Sequence, residues 1–146
     1  MLVEMLEKEG HFLTEVSCNT WEDLVDILAA PMILEGSVSE GFLDSAKEAV
    51  HQFGPYVVLI EDVAFFHGRP EAGVKRQSMT LALLKEPVYL QDKRIKAAFL
   101  FAAIDNNSHI DLLKELSEVL NDDECVELLI NGASKKEILK KFEKEG

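Results

Sequence analysis

Apolar residues along the chain recur at two spacings, one helical and one extended. Trp21, Leu24, Val25 and Leu28 fall three and four apart and predict a helix running toward Leu34. Thr20 stands where it can cap that helix, Glu22 and Asp23 lie in its first turn, Pro31 lies inside it and Gly36 marks its stop. A second helix follows from a Ser39 cap through Phe42, Leu43, Ala46, Ala49, Val50 and Phe53, ended by Gly54-Pro55. Leu2 to Glu9 reads as a short acidic helix, begun at Met1 and ended at Gly10. Near the C-terminus, His109 opens a helix with Leu112, Leu113, Leu116 and Leu120 on one face. Asp122 to Ile130 forms another, and Ser134 caps a last one carrying Ile138, Leu139 and Phe142.

Between these lie extended runs. Phe12 to Val16, Tyr56 to Ile60, Val63 to Phe66 and Ser78 to Leu84 read as strands, the last broken by Glu86-Pro87. Ala97 to Ile104 is wholly apolar, as a central strand covered on both faces should be. Asp105-Asn106-Asn107-Ser108 reads as a loop of capping residues. Helices before, between and after strands predict an α/β domain. The strand-rich stretch from Val58 to Leu84 demands some antiparallel pairing. The expected architecture is a mixed, mostly five-stranded sheet with helices on both faces, in one domain over residues 1–146.

Chemistry concentrates where apolar runs end. The run Val63-Ala64-Phe65-Phe66 stops at His67 and opens into Gly68-Arg69-Pro70-Glu71-Ala72-Gly73-Val74. An imidazole at a sheet rim is a candidate nucleophile near neutral pH. Gly68 would let a backbone N–H approach an anionic oxygen, Arg69 offers charge, and Pro70 stiffens the loop. Arg69 reads equally well as a solvated loop cation. His109 repeats the theme after the next buried run, in a first helical turn whose N–H groups favour anions. Two histidines gain weight together if both strand ends share one edge of the sheet. His51, near the end of its helix, fits a structural role at least as well as a functional one. His11, at the start of an edge segment, is expected to be inert.

Composition removes several classes. A net charge of −12 over 146 residues opposes a nucleic-acid partner. No apolar run approaches the ~20 residues of a membrane helix, and no cationic, apolar leader opens the chain. Cys18 and Cys125 lack metal-ligand spacing and read as two small buried thiols of a cytoplasmic protein. Neither a Walker loop nor a GxGxxG nor a GxSxG occurs. No metal or cofactor is expected, although His67, His109 and Asp105 leave a zinc hydrolase as a minor alternative.

These residues resemble the enzyme IIA domains of the bacterial sugar phosphotransferase system, in the mannitol/fructose-type superfamily. The likeness runs through Asn19–Asp23, Gly36–Phe42, Gly54–Leu59, the His67 loop, Thr80–Val88 and Asp105–Leu120, and so covers nearly the whole chain. The His67 loop is similar to the ascorbate-type branch, whose pattern reads roughly A-M-P-H-A-R-P-E-x-G-V. The resemblance implies a phosphotransferase in which His67 accepts a phosphoryl group from the phosphocarrier protein HPr. The group then passes to a cysteine or histidine of enzyme IIB and reaches the membrane permease, enzyme IIC, only indirectly. It implies that His109 neighbours and stabilises the phosphoryl group, with Gly68, Arg69, His51 and Ser108 as candidate phosphate- or partner-binding residues. A homodimer is compatible with it. The same fold could instead serve as a regulatory module that senses phosphorylation. Two departures stand out. Phe66 replaces the usual proline before the reactive histidine, where it could shift that histidine or face a partner. His51 falls where the mannitol branch has an active-site arginine, which tilts the expected substrate toward ascorbate or a related sugar acid or pentitol.

Overall fold

A computed structural model describes residues 2–145; Met1 and Gly146, the outer limits of the expected domain, lie outside them. The elements are α1 (Leu2–Leu6), β1 (Phe12–Val16), α2 (Trp21–Leu34), α3 (Glu40–Phe53), a 3-10 turn (Gly54–Val57), β2 (Asp62–His67), β3 (Ser78–Leu90), β4 (Lys93–Ala102), α4 (Asn106–Leu120), α5 (Asp123–Ile130) and α6 (Lys135–Glu145). The sheet order is β1-β3-β4-β2, with β1 parallel to β3, β2 parallel to β4, and β3 antiparallel to β4.

Strand alternation sorts the core into two layers. Val63, Phe65, Ala97, Phe99 and Phe101 face α1, α4, α5 and α6. Ala64, Phe66, Ala98, Leu100 and Ala102 face α2 and α3. The helix spacings resolve as expected. Thr20 Oγ1 accepts from the Asp23 N–H at 3.1 Å, and Ser134 Oγ accepts from the Glu137 N–H at 3.2 Å. Ser39 precedes α3 without a side-chain cap bond. Residues 7–9 leave the helix early, so α1 is shorter than expected.

The sheet has four strands rather than five. Tyr56 to Ile60 is not a strand: Gly54, at φ +69°, and Pro55 wind the chain into the 3-10 turn, and Ile60 makes only an isolated bridge to Val63. Pro55 sits in the first turn of that 3-10 segment, which takes Tyr56 and Val57 out of extended geometry. Conversely, Glu86-Pro87 does not end β3. The register shifts between Leu83 and Val88, letting the strand bulge past the proline. Lys96 Nζ donates to the Leu84 and Lys85 carbonyls there, at 2.6 and 2.8 Å. β3 then turns at Gln91-Asp92 into β4, which begins earlier than the apolar run suggests.

At one end of the sheet Asp62 sits at φ +72° with its carboxylate held by both arms of Arg94, at 2.5 and 2.8 Å. This clamp joins the start of β2 to the start of β4. It leaves the other ends of both strands, at His67 and Ala102, at a common edge.

Candidate functional site

Parallel pairing brings the two histidines together. His67, the last residue of β2, stands in register with Phe101 near the end of β4. The chain leaves β4 at Ala102, and Asp105 caps α4 by accepting from the Ser108 N–H at 2.8 Å. The helix therefore begins at Asn106, earlier than its leucine spacing suggests, because Asp105 supplies the cap. His109 lies at the end of the first turn, its N–H donating to the Asp105 carbonyl at 3.0 Å. The imidazoles meet nearly edge to face, ring centres 5.1 Å apart at 83°. Phe101 packs against both, 5.6 Å from His67 and 5.1 Å from His109.

Both rings are half-buried. Burial pushes the His67 pKa below its ordinary value, and the charge His109 would carry pushes it further down. Burial alone pushes His109 down. Burial thus favours the neutral form of each ring, which offers a free nitrogen lone pair. In front of His67 opens an apolar cavity of about 280 Å³ whose walls include Ala49, Phe53, Tyr56, Phe65 and Leu113. Its rim exposes Phe53, Tyr56 and Leu59.

The loop after His67 is stapled to α3 and to the segment joining α2 and α3. Ser45 Oγ accepts from the Arg69 N–H at 3.2 Å and donates to the Phe42 carbonyl at 2.9 Å. The Ser39 N–H donates to the Gly73 carbonyl, Val38 bridges Val74, and the Ser37 carbonyl accepts from Lys75 and Arg76. A Cβ on Gly68 would stand 2.2 Å from Ser45 Oγ and 2.9 Å from Phe42 Cε1. Gly68 thus serves close packing of the loop on α3.

The other expected site residues scatter. Arg69 is 58% exposed and faces Glu71 and Glu48 at 3.6 and 3.9 Å. His51 is exposed and packs edge-on against Trp21, ring centres 5.4 Å apart. The Ser108 N–H is engaged by the cap. Phe66 is fully buried and stacks with Trp21, so it does not form part of an exposed partner-facing patch. Asp105 is committed to the helix cap, and no three metal-ligating side chains converge among the described residues. Cys125 is buried, whereas Cys18 is partly exposed.

His11 immediately precedes β1. It is buried, Nδ1 lies 2.7 Å from the Met79 carbonyl, and Nε2 lies 3.5 Å from Glu35 Oε2. Glu35 also accepts from Ser37 and Ser78 at 2.6 and 2.8 Å, and its pKa is lowered by these bonds and by His11 and Lys8 although burial opposes them. The residues that sequence reasoning passes over are Phe101, hidden in a uniformly apolar run, and Ser45, whose partner lies 24 positions away.

The family model for the phosphoenolpyruvate-dependent sugar phosphotransferase system, EIIA 2, matches residues 4–145. The mannitol-specific cryptic phosphotransferase enzyme IIA component of Escherichia coli is 32% identical over 124 residues, covering 84% of each chain. A solution structure of an E. coli protein of that description superposes with a TM-score of 0.86 at 29% identity, covering 99% of each chain. The ascorbate-specific PTS system EIIA component of Shigella boydii is 30% identical over 142 residues, 94% of this chain and 92% of that one. The E. coli enzyme IIA of mannitol, solved in complex with phosphorylated enzyme IIB, shares the fold with a TM-score of 0.80. It is 20% identical and covers 93% of this chain and 96% of that one.

Proposed function

Because the chain belongs to the EIIA 2 family of the phosphoenolpyruvate-dependent sugar phosphotransferase system, a family of phosphocarriers for sugar uptake, we propose that His67 is its phosphoryl acceptor. The observation that carries this reading is the pair of half-buried imidazoles 5.1 Å apart, with His67 lining an apolar cavity.

In this reading a phosphohistidine on HPr docks at the rim. A lone pair of the His67 ring attacks phosphorus, and the P–N bond to the donor breaks. The donor imidazole keeps the electron pair and takes up one proton, balanced by the proton that the second nitrogen of the His67 ring gives up as the new P–N bond forms. The phosphoryl oxygens lie beside His109, which stabilises them by donating a hydrogen bond once protonated. Such transfer needs position and charge stabilisation more than covalent help from the protein. The second step reverses the roles. A nucleophilic cysteine or histidine of enzyme IIB attacks phosphorus, the P–N bond to His67 breaks, and the ring recovers its lone pair.

The carrier acts as one domain in the cytoplasm. Its substrate class is ascorbate or a related sugar acid or pentitol, on the likeness of the His67 loop. The mannitol-type relative is about as similar overall, so a competing mannitol assignment is tested alongside. The decisive experiment is mass spectrometry after incubation with phosphorylated HPr. The expected product carries one phosphoryl group localised to His67, and none appears in His67→Ala. Phosphoryl uptake by that variant would reject the acceptor. Transfer onward to ascorbate-type rather than mannitol-type enzyme IIB would fix the substrate class.

A further inference from the structure

We propose that Phe101 is the positioning residue of the two-imidazole site, a shared aromatic wall that fixes the angle between His67 and His109. The proposal rests on the reading of His67 as acceptor.

Among the described residues, no hydrogen bond or ion pair reaches either imidazole ring. Catalytic histidines are ordinarily oriented by a bond to the second ring nitrogen. Here packing must do that work. Phe101 has the geometry for it: it is fully buried, lies directly across the ladder from His67, and pairs on its other side with fully buried Met79. Its ring leans at 38° to His67 and 50° to His109. A flat ring held from behind by the sheet leaves each imidazole a narrow range of tilt. An aliphatic side chain would fill the space without defining a plane.

The orientation matters because the nitrogen lone pair lies in the imidazole plane. Tilting His67 turns that lone pair away from an in-line approach to phosphorus, and misplacement of about 1 Å costs roughly a hundredfold in rate. Tilting His109 removes its nitrogen from the phosphoryl oxygens.

The test compares Phe101→Leu and Phe101→Met with Phe99→Leu. Phe99 lies two positions earlier on the same strand face, is equally buried, and stacks on Phe65 and Phe142 rather than on either histidine. All three variants are expected to lower the denaturation midpoint. Only the Phe101 variants should slow uptake from saturating phospho-HPr, by at least about tenfold and with KM unchanged. Only they should move the His67 and His109 titrations, followed by NMR without donor, upward toward ordinary values. Uptake within about twofold of Phe99→Leu, or titrations that stay in place, would overturn the proposal. The methionine variant gives the same readout should the leucine variant fail to fold. If the unsubstituted chain takes no phosphoryl group, the acceptor reading fails, and the titrations alone decide the role of Phe101.

Discussion

His67, at the end of β2, and His109, in the helix that follows the parallel neighbour β4, meet edge to face, 5.1 Å between ring centres. The contact makes the second imidazole a local responder to charge on the first. A phosphoryl group on His67 brings negative charge to the site and raises the proton affinity of His109. Replacing His109 with Gln keeps a polar side chain there but removes the titratable group. Uptake by His109→Gln should fall on the order of a hundredfold in rate while the label still localises to His67, as read by quenched-flow mass spectrometry.

The depressed pKa values of the two rings make stability pH-dependent. In the unfolded chain each titrates near 6.5, and in the folded chain below that value. The unfolded state therefore binds more protons between the two values. Stability is fully present above about pH 6.5, declines as pH falls toward the folded values, and levels off beneath them. Urea midpoints measured at neutral and acidic pH should drop further for the unsubstituted chain than for a His67→Gln/His109→Gln double variant. An equal drop would assign the acid loss to other groups.

Gly68 tolerates no side chain. Its missing Cβ leaves room for Ser45 Oγ and the Phe42 ring, so Gly68→Ala must displace one of them. The expected loss is about 1–3 kcal/mol. Adding Ser45→Ala removes the nearest atom and should recover part of that loss, although it also leaves the Arg69 N–H without its acceptor. Chemical denaturation of the single and double variants measures the recovery directly.

How much of this the sequence discloses depends on whether the cause is local. The His67 loop is legible because an apolar run ends at an imidazole and is followed by glycine and proline. The Thr20 and Ser134 caps are legible for the same reason. The course of β3 past Pro87 is not, since the group that satisfies the bulged carbonyls, Lys96, comes from the next strand. Tyr56 to Ile60 carries a strand-like composition but follows a Gly-Pro pair that winds it into a turn, so Tyr56 and Leu59 line a cavity while Val57 reaches the core. The packing role of Gly68 and the buried setting of His11 both depend on partners far along the chain.

Thr80 shows the same dependence in reverse. It is fully buried on β3, and its hydroxyl has no hydrogen-bond partner among the described residues. A buried hydroxyl without a partner carries a desolvation penalty of about 1–3 kcal/mol. Thr80→Val keeps the branched shape and removes that penalty. It should leave the denaturation midpoint unchanged or raise it, and leave phosphoryl uptake unaffected.

The pairing of β2 with β4 has a consequence for biogenesis. The His67 ring is contributed by one strand and its companion, His109, by the helix that follows the other, 42 positions later. Neither half of the polypeptide owns the reaction centre. A ribosome-bound fragment that has emerged only through β3 carries His67, yet it lacks both rings that pack against it, Phe101 and His109. The two-imidazole site therefore exists only once the chain has folded at least as far as His109.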